Sequence, residues 1–286
     1  MAMFVRVLKR ASIGIFAIGI AGYFGLLGIL YFGQRDMLYH PTQIVPDPAA
    51  FGVPEMTALR VESEGGARPL IWWRPPVNPS YPVIVYFHGN AGHLGNRANW
   101  ARTYMNAGYG VLLAGYQYNA GAGGQASEAG LLTDGRAAIE FARAKGYEPG
   151  RMVFYGESLG TGVATAMATE YKAAALVLKM AYSSVADVAQ GHYWYLPVHW
   201  LVKDSFDSAA RMPSVHSPVL FIHGEDDQTI PAWSARKLLE VTAEPKESHF
   251  LRGGGHGNLG RLGAENLVLD FLERRVITVQ KAAAGG

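Results

Sequence analysis

A serine between glycines, an aspartate and a histidine lie far apart along this chain, and together they could carry out nucleophilic acyl transfer. The serine is Ser158, in YGESLGTG (155–162), where the pattern Gly-x-Ser-x-Gly sets it between Gly156 and Gly160. A hydroxyl is a weak nucleophile, so it must be exposed, clear of its neighbours' side chains and close to a base. The pattern arises by chance about 0.2 times in a chain of this composition, so its surroundings have to support it.

The surroundings supply the partners in a workable order. HGEDDQTIP (223–231) offers Asp227 and GGGHGNL (253–259) offers His256. His256 is assigned as the base that takes the serine proton, and Asp227 as the acid that holds the ring's tautomer and stabilises the imidazolium. Asp226 is the neighbouring rival for the acid, and Asp204 and Asp207 are further alternatives. Activity then requires a neutral His256 and should fall on acidification. A negative oxygen forming on the substrate needs two N–H donors. YFHGNAGHLGNR (86–97) supplies the main-chain amide of Asn90, and the helix start after Ser158 supplies that of Leu159. His88 and His223 each precede a glycine and read as structural turn residues, and His93 as a helix-start residue. No metal-ligand pattern is present, and the chemistry calls for no metal or cofactor. GHGNLG (255–260) matches a dinucleotide fingerprint but leaves too little chain after it to build the unit such a site needs.

These residues must be held by strands and helices. Short apolar runs alternate with helical periodicity, which predicts an α/β fold with a mostly parallel sheet flanked by helices. Strands are expected over 57–63, 69–74, 82–88, 110–116, 152–156, 174–180, 218–223 and 247–251. Helices are expected over 94–106, 127–145, 158–171, 232–242 and 262–275. Ser127 with Glu128 marks a helix start and Gly146 a helix stop. The central strands are apolar throughout, as strands covered on both faces should be. Ser158 thus falls at a strand-to-helix turn, and Asp227 and His256 each follow a strand. Residues 184–212 interrupt the rhythm with the aromatic segment GHYWYLPVHW (191–200), which predicts either a cap over the strand ends or an amphipathic helix on the body.

The amino-terminal end differs in kind. After Arg6, Lys9 and Arg10, residues 11–34 carry no charge, enough to cross a bilayer core of about 30 Å as a helix. The apolar run is long for a signal peptide and lacks a small-residue cleavage site, so an uncleaved transmembrane anchor is expected. The positive flank places residues 1–10 in the cytoplasm and the globular part on the far, periplasmic or lumenal, side. With 49% hydrophobic and 17% charged residues and a net charge of +2, the chain can bury one large core and has no basic patch for nucleic acid. Its lack of cysteine excludes disulfides and thiol catalysis. The end KAAAGG is low in complexity and expected to be disordered.

At this point the sequence resembles the α/β-hydrolase family, and within it the membrane-anchored serine hydrolases that include lysophosphatidylserine lipases and protein depalmitoylases. The resemblance covers roughly residues 35–275. It rests on HGNAGHLGNR (88–97), SEAGLLTD (127–134), GESLGTGVA (156–164), HYWYLPVHWLVKDSFDS (192–208), HGEDDQTIP and GGGHGNL. It implies an α/β-hydrolase domain with a short cap near 184–212 and a tail at 276–286. Matched position by position, it implies Ser158, Asp227 and His256 as the triad, with Asn90 and Leu159 as the oxyanion hole. The reaction it implies is hydrolysis of carboxylic esters, and the membrane tether would suit lipid or lysolipid substrates. A thioesterase or lysophospholipase could use the same residues, and a non-catalytic membrane-anchored binding protein could keep the fold. Two departures from the family stand near the strand ends: GYQYNAG (115–121) replaces its usual Asp-Tyr-Arg-Gly-Tyr-Gly, and Lys179 stands where an acidic residue is common.

Overall fold

The computed structural model describes residues 2–279, and the end KAAAGG (281–286), expected to be disordered, lies outside them. Eight strands form one sheet: β1 (Thr57–Arg60), β2 (Leu70–Arg74), β3 (Val83–Phe87), β4 (Gly110–Ala114), β5 (Met152–Glu157), β6 (Ala175–Lys179), β7 (Val219–Gly224) and β8 (Lys246–Leu251). Their order is β1-β2-β4-β3-β5-β6-β7-β8. β2 runs antiparallel to both β1 and β4, and every pairing from β4 onward is parallel. All eight strands expected from the apolar runs are present, and the fold is the expected one.

The helices are α1 (Ala2–Leu38), α2 (Ala98–Asn106), α3 (Glu128–Ala144), α4 (Gly160–Glu170), α5 (Val185–His192), α6 (Val198–Leu201), α7 (Ser208–Arg211), α8 (Ala232–Glu240) and α9 (Ala264–Leu272). Side chains alternate across a strand, so β3 sends Val83, Val85 and Phe87 to one layer and Ile84 and Tyr86 to the other. The first layer packs on α3, α4 and α8 through Ile139, Val163 and Leu238. The second packs on α2 and α9 through Tyr104 and Phe271. Covering both faces is why the central strands read as unbroken apolar runs.

Local signals behave as their chemistry requires. Ser127 caps α3 by accepting the Gly130 N–H at 3.1 Å, and Gly146 follows the helix at a φ of 89° that a side chain would resist. β1 stops at Arg60 instead of 63, and beyond it the N–H groups of Val61 and Ser63 donate to the Pro69 and Ala67 carbonyls as the chain turns back toward β2. The last helix does not end at 275 as expected. It continues as a wider turn over Glu273–Ile277, because Val276 and Ile277 still have core to fill. The 184–212 stretch holds α5, α6 and α7, three short helices rather than one amphipathic helix.

The apolar amino-terminal run lies within one 37-residue helix, about 55 Å long at about 1.5 Å per residue. It is long and apolar enough to cross a membrane, with a mean hydropathy of 2.2 in its most apolar window. Only its last turns meet the body, ending at the buried ring of Tyr39.

Candidate active site

The turn between β5 and α4 is tight. Ser158 adopts φ 52°, a left-handed conformation that non-glycine residues rarely take, and its N–H donates to the Lys179 carbonyl at the end of β6. Thr161 Oγ1 donates to the Ser158 carbonyl at 2.7 Å, closing the turn. The flanking glycines are needed for space. A Cβ on Gly156 would stand 2.5 Å from the Thr161 Cα, and one on Gly160 would run into the Phe87 carbonyl oxygen. Gly89, after β3, is less crowded but still tight, since a Cβ there would lie 3.3 Å from that of Ser158.

Three groups far apart in sequence meet at this turn. Ser158 Oγ lies 2.9 Å from His256 Nε2, and His256 Nδ1 lies 2.8 Å from Asp227 Oδ2. With Nδ1–H donating to the carboxylate, Nε2 is left as an acceptor for the serine proton. The Asp227 side chain is buried, and its other oxygen accepts the N–H groups of Thr229 and Ile230, each at 2.9 Å. Burial opposes its charge, yet the hydrogen bonds from His256, Ile230 and Thr229 outweigh that and hold the carboxyl below its usual range.

The rival acids are engaged elsewhere. Asp226 is exposed. Asp204 forms a two-pronged ion pair with Arg35 at 2.8 and 3.1 Å, and Asp207 caps α7 through the Ala210 N–H. His88 and His223 are both buried against backbone carbonyls, Gly89 O at 2.6 Å and Ile230 O at 2.8 Å. Burial drives His88 down to about 3 and lowers His223, so both stay neutral. His93 begins the short helical turn before α2, and its main-chain N–H donates to Asn96 Oδ1 at 2.9 Å.

Asn90 and Leu159 line the same cavity as Ser158. Among the described residues, neither main-chain N–H donates to another protein group, which leaves both free for a ligand oxygen. The Asn90 side chain is fixed by donating to the Leu38 carbonyl at 2.8 Å, at the foot of α1.

The two departures noted in the sequence have structural partners. Lys179 sits between Glu265 at 3.0 Å and Glu157 at 3.4 Å. Burial disfavours its charge, but Tyr155 and the two carboxylates prevail and keep it protonated. In GYQYNAG, the Tyr116 hydroxyl donates to the His88 carbonyl at 2.7 Å and the Gln117 N–H to Asp134 at 2.7 Å, so this segment braces the loop carrying Asn90.

The cavity encloses about 630 Å³, within the range of small-ligand sites, and its lining is mainly apolar. Val188, Leu196 and Leu201 of the 184–212 stretch form one side, so that stretch lies over the strand ends as a cap. Sequence reasoning missed the opposite wall, which comes from α1 through Leu26, Leu30 and Met37. No apolar periodicity singles out Leu26 and Leu30, because α1 is apolar on every face over that run, and Met37 stands alone just past its charged end.

No family model matches the chain. An uncharacterized protein of Mycobacterium tuberculosis is 36% identical over 253 residues, covering 87% of this chain and 89% of that one. The lysophosphatidylserine lipase ABHD12 of Danio rerio is 29% identical over 203 residues, 64% of this chain and 53% of that protein. Human protein ABHD12B is 31% identical over 192 residues, 59% of this chain and 52% of that protein. The chain therefore spans about half the length of these last two relatives. Among solved structures, an esterase of Pyrococcus furiosus superposes with a TM-score of 0.66 at 16% identity, over 83% of this chain and 97% of that one. The Est2 esterase of Thermogutta terrifontis gives 0.63 at 18% identity, over 80% and 96%. With that fold, those relatives and an elbow serine at the head of α4, the chain belongs to the α/β-hydrolase family.

Proposed function

We propose that this protein is a serine hydrolase that cleaves carboxylic esters through an acyl-enzyme. The observation that carries the reading is the continuous hydrogen-bonded line from Ser158 Oγ through His256 to the buried Asp227 carboxylate. Ser158 attacks the ester carbonyl while His256 Nε2 takes its proton, and Asp227 stabilises the imidazolium. The amides of Asn90 and Leu159 receive the negative charge that develops on the carbonyl oxygen. His256 then protonates the leaving alcohol. A water that gives its proton to the same nitrogen attacks the acyl carbon, releasing the acid and free Ser158.

The apolar cavity favours an aliphatic acyl group over a charged one. In this reading α1 is an uncleaved anchor with residues 1–10 in the cytoplasm and the hydrolase domain outside it. Lysophospholipid and thioester substrates present the same acyl carbon to the same groups. The test is a panel of short-chain and long-chain esters, a thioester and a lysophospholipid given to the purified protein. Ester turnover is expected, and inertness towards the whole panel would overturn the reading.

A further inference from the structure

The cap and α1 are fastened together along several turns. The Tyr195 carbonyl accepts from the Tyr23 hydroxyl at 3.4 Å. The Leu201 carbonyl accepts from Gln34 Nε2 at 3.0 Å, and the Lys203 N–H donates to Gln34 Oε1 at 2.7 Å. The Lys203 ammonium sits 4.0 Å from the Tyr31 ring centroid. The cap chain therefore follows α1 from the level of Tyr23 to that of Arg35, where the Asp204 ion pair closes the contact.

This alignment sorts the residues by depth. Lys203, Asp204, Arg35 and Asp36 gather at the carboxyl end of the apolar run. Leu26 lies about 12 Å and Tyr23 about 16 Å further along the helix from Gln34, at about 1.5 Å per residue, inside the uncharged stretch. Beside that stretch the cap turns its aromatic rings outward: Trp194 is 79% and Trp200 90% exposed. Indole rings are the side chains most at home at a membrane interface. Large apolar rings fully presented to water would otherwise be costly.

We propose that the cap dips into the membrane beside α1, and that the acyl chain of an ester dissolved in the bilayer reaches Ser158 from there. On this account it passes between α1 and the cap, with Leu26 and Leu30 as part of its binding wall. The anchor helix is then a specificity element as well as a tether. The proposal rests on the esterase reading for the identity of the ligand, but the placement of the cap can be measured without catalysis.

The full chain is reconstituted into phosphatidylcholine vesicles with and without brominated acyl chains, and its tryptophan fluorescence is recorded. Trp72, Trp73 and Trp100 are buried in the body, and Trp233, 44% exposed on α8, is present in both proteins compared, so the quenching lost with the two substitutions is that of Trp194 and Trp200. Wild type should be quenched, and the Trp194→Phe/Trp200→Phe variant should lose most of that quenching. Absent quenching, or quenching equal in the two proteins, overturns the placement. In parallel, Leu30→Trp should lower the ratio of kcat/KM for a long-chain ester in vesicles to that for a short soluble ester, by about tenfold. An unchanged ratio overturns the role of α1. If wild type turns over neither ester, the hydrolase reading has failed, and the quenching still decides where the cap lies.

Discussion

Replacing Asp227 with Asn should cost more than the loss of one charge, for a reason set by the two sides of the carboxylate. One oxygen accepts two buried main-chain N–H groups, from Thr229 and Ile230, while the other faces His256 Nδ1. The Asn amide has one acceptor and one donor, and turning its NH2 toward the two N–H groups would leave both unpaired, at about 1–3 kcal/mol each. Its oxygen therefore stays with the backbone and its NH2 points at His256. The ring must then accept at Nδ1 and carry its proton on Nε2, where it cannot receive the Ser158 proton. The expected fall in kcat is about ten-thousand-fold, equivalent to about 5 kcal/mol at about 1.4 kcal/mol per tenfold. Asp226→Asn, one residue away but exposed, should change kcat by less than about twofold. Stability should follow the sign of the carboxylate's shift. A group held below its usual range contributes stability that is present above the ordinary carboxylate pKa and lost as pH falls through its folded value. The melting difference between wild type and Asp227→Asn should thus be widest at neutral pH and close on acidification. Steady-state hydrolysis of a chromogenic short-chain ester, with thermal melts across pH, reads both effects. An Asp227→Asn protein retaining a tenth of wild-type kcat, or an Asp226→Asn protein equally impaired, would refute the reasoning.

Two other perturbations test the frame around the site. Lys179→Met would leave Glu157 and Glu265 facing each other without their shared cation, a loss of about 3 kcal/mol in urea unfolding, and an unchanged midpoint would show that the cluster is solvent-screened. Glu247, paired with Arg274 and Arg275, is held down to about 2, so its contribution is complete above the ordinary glutamate value of 4.5 and disappears as pH falls through about 2. Glu247→Gln should flatten unfolding free energy against pH across that interval, and a curve superimposable on wild type would contradict the assignment.

Much of this was legible in the chain because its causes are local. β3 is buried on both faces and therefore reads as an unbroken apolar run, and Ser158 sits where such a run meets a helix pattern. Glycines 156 and 160 announce the crowding that the structure then displays. The choice of Asp227 over Asp226 depended instead on which residue of the loop after β7 turns inward, and composition does not report that. Lys179 read as an oddity because its partners Glu157 and Glu265 belong to different elements, brought together only by the sheet order. The α1 wall of the cavity was invisible for a different reason: a helix apolar all round carries no pattern to show which face meets the cap.

The account's central claim is that Ser158 is the nucleophile, and labelling with a fluorophosphonate probe tests it most directly. Wild type should be labelled covalently, labelling should slow sharply in Asp227→Asn, and Ser158→Ala should take up no label. An unlabelled wild type, or a Ser158→Ala protein that still carries the probe, would contradict it.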